Sequence, residues 1–315
     1  MAGQLWSVNT LGGYMYSDEL SDVLRTAVQP LSKFRQFSDA KDQVDKGLHR
    51  GQLFTWDLYS DVVVAGTAIA ESQAMPETNF IVAQGTGTVR EFGNSVPYTG
   101  LLDNLSKHPV QEIINKVLKN DCVRSLDRAA HDQFDLTPLR VTAVGGTSTD
   151  SVVVQDTSPG VGVTTNNVVL GKDIVKSIVD AMKERNIPTY DGDDYMAIAR
   201  PSTWRPLKND LESVYQYRDE GFRMIYNGEI GKYEGVRFIE QTNIPTEKWK
   251  NGKSDWAYFF GEDTVAEGIV IPEEMRGKIP GDYGRSKGIA WYYLGGFALT
   301  QKQPEQARIL KWSQS

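Results

Sequence analysis

The longest helical pattern in the chain begins at Pro109 and runs to about Phe134, and it constrains the fold more than any other feature. Proline is tolerated at a first helical position because its missing N–H would have no partner there. Behind it Val110, Ile113, Ile114, Val117 and Leu118 follow i, i+3, i+4 spacing, and Arg124, Asp127, Arg128 and Asp132 are expected to supply a charged surface. At 1.5 Å per residue the segment is on the order of 36 Å long. A helix of that length acts as a strut.

The pattern on either side differs. The first fifty residues are polar and broken, with one helical candidate from Ser17 to Val28 that Pro30 ends, and they read as an arm with little core of its own. Gln52–Val64 and Phe80–Val96 read as extended, rich in Thr, Val and aromatic residues, around the polar stretch AESQAMPETN. Such a two-stranded excursion is marginal unless it lies on a neighbour. After the strut, Leu139–Val169 turns β-like. A second helix is expected over Lys172–Arg185 with Ile174, Ile178, Val179 and Met182 as its apolar face, stopped by Asn186 and Pro188. Tyr195–Arg200 reads as a buried strand and Pro201–Leu211 as a short helix; Val236–Gln241, Trp256–Gly261, Val265–Ile271 and Ile289–Leu299 read as further strands. Strands and helices do not alternate regularly, which points to an α+β class rather than a parallel doubly wound sheet.

Composition narrows the functional classes. No run approaches the roughly 18 apolar residues that a membrane helix needs, and the opening MAGQLWSVNT lacks the basic and apolar regions of a signal peptide, so no membrane and a cytoplasmic setting are expected. The net charge is −7, without the concentrated basic face of a nucleic-acid-binding protein. The single cysteine, Cys122, rules out an intrachain disulfide and a cysteine-clustered zinc site, and it is expected to be a small buried residue.

Catalytic patterns are present only in fragments. Gly284-Arg285-Ser286-Lys287-Gly288 matches the spacing of a nucleophile elbow, but that motif requires a strand before the serine, a helix after it and a later histidine. Here the following residues are strand-like and no histidine comes after His131. Asp191-Gly192-Asp193-Asp194 resembles the paired carboxylates of a two-metal nucleotidyl transferase, without a second aspartate motif or a basic channel, and is read as an acidic loop with at most a weak divalent-ion site. Gly85-Thr86-Gly87 and Gly160-Val161-Gly162 lack the third glycine of a dinucleotide site. His49, His108 and His131 have no metal-ligand spacing. No catalytic, cofactor-binding or metal-binding residues are expected.

One element carries more specific information. In Asn227–Asn243, NGEIGKYEGVRFIEQTN, a charged turn feeds a strand with Val236, Phe238 and Glu240 on one face and Arg237, Ile239 and Gln241 on the other. This wording resembles tailed-phage major capsid proteins of the Hong Kong 97-type fold, in particular the podovirus N4-like coat proteins. ESQAMPE, YMAIARPSTWRPLKND and DYGRSKGIAWYYLGGFALTQ resemble the same family and come in the same order.

That resemblance implies a set of expectations. The order would be an N-terminal arm (1–50), an extended β-hairpin loop (51–100), a peripheral domain with a spine helix (101–140), an axial domain (141–280), and return strands of the peripheral domain (281–315). The protein would assemble with itself as hexamers and pentamers into an icosahedral shell enclosing double-stranded DNA. Its partners would be a separate scaffold protein, a portal and decoration proteins, and its place the virion, after assembly in the host cytoplasm. Trp56, Glu71, Met75, Pro76 and Arg90 of the hairpin would reach adjacent subunits, with Asp191 and Asp193 near a capsomer axis. One branch of the family welds its shell through a hairpin lysine; Gly51–Gly100 contains none, so a noncovalent shell is expected. The alternatives are an encapsulin-like nanocompartment shell, a secreted carbohydrate-binding or adhesion module, and a metal-dependent nucleotidyl transferase built on Asp193 and Asp194.

Overall fold

The computed structural model describes residues 33–42, 51–59, 66, 68–69, 71, 74–156, 166–215, 231–243, 256–280 and 282–313. The helix expected over Ser17–Val28, residues 227–230 of the Asn227–Asn243 element, and Gly160–Gly162 lie outside them. After a 3-10 turn at Phe34–Phe37 come β1 (Ser38–Asp42), β2 (Leu53–Tyr59), β3 (Val82–Thr88) and β4 (Arg90–Thr99). Helices α1 (Gly100–Leu105) and α2 (Val110–Asp135) follow, then β5 (Leu139–Ala143), β6 (Val152–Asp156), α3 (Lys172–Glu184), β7 (Tyr195–Ala199) and α4 (Pro201–Tyr215). The remainder is β8 (Lys232–Tyr233), β9 (Val236–Glu240), β10 (Trp256–Phe260), β11 (Val265–Gly277), β12 (Ser286–Leu299) and β13 (Ile309–Ser313). The class is α+β.

Seven strands form one sheet in the order β6-β5-β13-β10-β7-β9-β8. Strand side chains alternate between faces, and here both faces are covered. Ala197, Ala199, Phe259, Leu310 and Trp312 pack with Ile174, Ile178, Met182, Trp204 and Leu207 of α3 and α4. From the same strands Met196, Ile198, Tyr258, Phe260 and Ile309 pack with α2. Two-sided burial is why YMAIA and WAYFF read as unbroken apolar runs. At the edge, β8 and β9 are joined by Glu234 and Gly235, both at positive φ (50° and 74°). That is the two-residue hairpin geometry that glycine favours.

Helix α2 does not bury a straight stripe. Its apolar buried residues are Val110, Ile114, Leu118, Cys122, Leu126, Ala130 and Phe134, every fourth position. Four residues turn the helix about 40° past a full revolution, so the buried line winds round the axis as it advances. Its first half meets β4 and β12, where Asp121 accepts hydrogen bonds from Asn94 and from the Trp291 indole (2.9 Å each). Its second half meets the 3-10 turn and β10 through Phe134, whose ring lies 5.3 Å from Phe34 and 5.1 Å from Phe260. Two expectations change as a result. Val117 is half exposed, and Asp127, expected on the charged surface, is buried. It accepts the Arg35 backbone N–H (3.2 Å) and the side-chain amides of Gln241 (2.7 Å) and Asn243 (3.1 Å).

A second sheet, β1-β11-β12-β4, is built round the long antiparallel ribbon of β11 and β12. Its β1 runs parallel to the start of β11. The described end of the expected arm is therefore docked on the rest of the same chain, with Phe34 fully buried. The sheets and the expected residue ranges are not congruent. Within 141–280, β11 pairs with β12, and within 281–315, β13 lies between β5 and β10. The reason is register: a strand joins whichever edge its backbone can pair with, whatever its place in the chain.

Candidate assembly surfaces

The base of the hairpin is anchored by aromatic rings seated on glycines. Strands β2 and β3 pair antiparallel with Phe54 opposite Gly87 and Trp56 opposite Gly85. A Cβ at Gly85 would lie 2.2 Å from the Trp56 indole, and one at Gly87 would lie 2.2 Å from the Phe54 ring. The rings thus occupy the space a side chain would take. Both pack on Ala266 and Ala298 of the ribbon, and the Trp56 indole donates to the Thr300 carbonyl at 3.2 Å. Trp56 is buried, at 8% exposure within the single chain, where it fixes the hairpin base to the ribbon. The Gly85-Thr86-Gly87 spacing, read only as an incomplete nucleotide motif, serves this packing.

Beyond the base the described residues of the hairpin are exposed. Glu71 and Pro76 are exposed, and Met75, Phe80, Ile81 and Val82 are each 60% exposed or more. Residues 74–81 have no regular secondary structure. Arg90, also exposed, opens β4 and borders a cleft of about 330 Å³ with Asp132, Leu136, Phe297 and Lys302. The cleft lies between the hairpin base, the end of α2 and β12. A run of large apolar side chains in water is costly for an isolated subunit and points to burial elsewhere.

The acidic loop is a tight turn with its charges paired. Asp191 and Asp194 exchange backbone hydrogen bonds (3.3 and 3.0 Å), with Gly192 at φ 59°. Arg237 bonds the buried Asp194 carboxylate at 2.8 Å and Asp191 at 2.9 Å, and Lys232 bonds Asp194 as well. The Lys232 hydrogen bond, helped by Arg237, holds the Asp194 carboxyl below its usual range. Two cations from β8 and β9 occupy the positions a metal ion would take. Asp191 and Asp193 are exposed. Among the described residues no group of three His, Cys, Asp or Glu side chains is placed to hold a metal, and no helix is long and apolar enough to cross a membrane.

Ser286 begins β12 directly after the turn at Asp282–Arg285, and its hydroxyl accepts from Lys278 at 2.8 Å. The order is turn then strand, the reverse of a nucleophile elbow. His131 is fully buried against Phe34 and Tyr258, with Nε2 3.1 Å from the Tyr258 hydroxyl.

Sequence reasoning missed one polar centre. Asp135 accepts from Tyr258 (3.2 Å), is paired with the buried Lys311, and has Arg140 at 4.0 Å. Lys311 Nζ also sits 3.3 Å from the centre of the Trp256 ring. A lysine inside an apolar run was the available signal.

No family model matches the sequence, and no curated protein matches it by sequence. Solved structures do match, over almost the whole chain. The capsid structure of the cyanophage P-SCSP1u is similar with a TM-score of 0.65 and 11% identity, over 100% of this chain and 98% of that one. The capsid of Ralstonia phage GP4 matches at 0.66 and 11% identity, over 98% of each chain. The head structure of Helicobacter pylori bacteriophage KHP40 matches at 0.64 and 13% identity, over 95% of each. From Lys33 to Ser313 the described chain thus has the Hong Kong 97-type α+β fold seen in tailed-phage capsid proteins.

Proposed function

We propose that this chain is a major capsid protein, assembling with itself as hexamers and pentamers into the icosahedral head shell of a tailed phage around double-stranded DNA. The observation that carries this is the end-to-end likeness to solved phage capsid chains, with neither protein left over by more than a few percent. A structural role, without catalysis, agrees with paired carboxylates in the acidic turn and a serine that lacks a histidine. The wording of Asn227–Asn243 supports the podovirus N4-like branch.

Within that reading residues 1–50 are the arm, 51–100 the hairpin loop, 101–140 the spine-helix part of the peripheral domain, 141–280 the axial domain and 281–315 the returning strands. Glu71, Met75, Pro76 and Arg90 meet neighbouring subunits, and Asp191 and Asp193 lie toward a capsomer axis. The shell is noncovalent, since 51–100 has no lysine. A scaffold protein, a portal and decoration proteins are its partners, and assembly takes place in the host cytoplasm. Many copies of a modest contact give a closed shell large total stability. Expression of the chain, alone and with its neighbouring genes, followed by electron microscopy and light-scattering mass, tests the proposal. Regular shells or capsomer rings are expected; a stable monomer of 35.2 kDa under both conditions overturns it.

A further inference from the structure

Arg35 lies just before β1, yet its guanidinium reaches both limbs of an irregular stretch in β11. Nε and Nη2 donate to Glu267 at 3.1 and 2.9 Å, and Nη1 and Nη2 donate to Glu273 at 3.1 Å each. A guanidinium has five N–H donors in a rigid fork, and four are committed to these two carboxylates. Glu267 is buried and is held further by the Tyr293 hydroxyl at 2.7 Å and by Ser38 at 3.3 Å. Burial works against the Arg35 charge, but the two carboxylates outweigh it and hold the guanidinium above its ordinary value.

The ribbon between these two glutamates is not regular. Ile269 pairs with Gly295, Ile271 with Leu294 and Glu274 with Tyr292, so β11 carries an extra residue in each of two successive steps. Extra residues of this kind bend a strand and increase its twist. The parallel pairing of β1 with β11 ends at Ile269, where the first irregularity begins. Glu267 lies before that point and Glu273 beyond it, so one side chain spans the bend. The same residue's backbone N–H is held by Asp127 of α2, and Phe34 beside it is buried between Phe134, His131 and Tyr258.

We propose that Arg35 is a clamp that couples docking of the arm root to the curvature of the β11–β12 ribbon. The ribbon cannot straighten past Glu273 without loosening the 33–42 segment, and that segment cannot lift without freeing the ribbon's bend. Coupling of this kind is reciprocal, which makes it testable from either side.

The test is hydrogen–deuterium exchange on the full chain, with circular dichroism to confirm folding. Glu273→Gln, on the exposed side of the clamp, is expected to speed amide exchange in Ser38–Asp42 roughly tenfold, the loss of one charge-assisted contact. Asp127→Asn weakens the hold on the Arg35 backbone N–H, together with the Gln241 and Asn243 contacts, while changing no residue of β11, and is expected to speed exchange in Ile271–Gly277 by a similar factor. Should that variant fail to fold, Phe34→Leu, which loosens the ring packing on Phe134, His131 and Tyr258 and leaves the Glu267 and Glu273 contacts in place, serves the same purpose. Exchange that rises only on the mutated side overturns the proposal, as does no change on either side. If the capsid reading holds, Glu273→Gln particles should also show a broader spread of diameters than wild type. That last readout rests on the capsid reading, whereas the exchange test does not: wild-type chain that forms no shells defeats the capsid reading and leaves the clamp to be decided by exchange.

Discussion

Trp56 stands directly across the β2–β3 pair from Gly85, and its indole fills the volume that any side chain at 85 would need. The indole is also held by its hydrogen bond to Thr300, so it cannot move aside freely. Gly85→Ala should therefore displace it and cost about 1–3 kcal/mol. Trp56→Ala should cost more, about 3–5 kcal/mol, through the cavity it leaves. Urea unfolding of the isolated subunit measures both, and a neutral Gly85→Ala would show that the seat is looser than these contacts imply.

The hairpin beyond that seat should behave in the opposite way. Replacing Met75 and Pro76 with charged residues should leave the subunit's unfolding midpoint unchanged, since both are exposed. Particle yield by sedimentation should fall strongly. Normal yield would remove the hairpin from the assembly contact.

Asp135, half-buried, pairs with the buried Lys311, and loss of that pair should be felt at once. Burial alone would raise the Asp135 carboxyl, but Lys311 outweighs it and holds the group below its ordinary value. A depressed carboxylate contributes stability that is complete above the unfolded value, about 3.9, and is lost as pH falls through the lower folded one. Wild-type stability should thus drop below about pH 4 partly through this group. Lys311→Met should cost about 1–3 kcal/mol near neutral pH by leaving the carboxylate with only Tyr258 and Arg140. It should also flatten the acid limb, as thermal melts from pH 2 to 7 would reveal.

Cys122 offers a probe of global opening. Burial, reinforced by the nearby Glu273 charge, pushes its thiol up to about 11. At pH 8 about a thousandth of it is thiolate. A thiol reagent should label the folded chain slowly and the urea-unfolded chain at once. Rapid labelling of the native protein would mean that α2 opens locally.

Chelation should do nothing. The Asp191 and Asp194 carboxylates already have Arg237 and Lys232. Neither magnesium nor a chelator should shift the melting temperature, and a clear rise with magnesium would revive a metal role for the turn.

The parts of the fold legible in the sequence were those with a local signal. Helix α3 shows its apolar face at Ile174, Ile178, Val179 and Met182, all buried, and β7 and β10 show the apolar runs of strands covered on both sides. Strand β11 was expected to stop at Ile271 yet continues to Gly277, because Pro272, Glu273 and Glu274 carry no alternation and the partner strand alone extends it. The winding seam of α2 was also hidden, since Val117 has the right spacing for one face but the helix presents different faces to different partners. Asp127 and Lys311 were opaque for a related reason: a charge is buried only when distant residues supply its partners. The seats of Phe54 and Trp56 were hidden too, since nothing local announces that Gly87 and Gly85, about thirty residues later, will face them.

The place of β13 sets an order on how this chain can fold. It lies between β5 and β10, and Thr137 just before β5 bonds the Ile309 carbonyl at 2.6 Å across 172 residues of sequence. Pairing across so long a separation carries a large closure entropy and is slow. While the chain emerges from the ribosome, β5 and β10 each wait with an open edge, and neither half of the sheet is finished. Only when residues 309–313 have been made can that strand be slotted in, so the seven-stranded layer closes as one late event. Until then two backbone edges in the middle of the layer lie unpaired, and edges of that kind are the ones most open to wrong pairing.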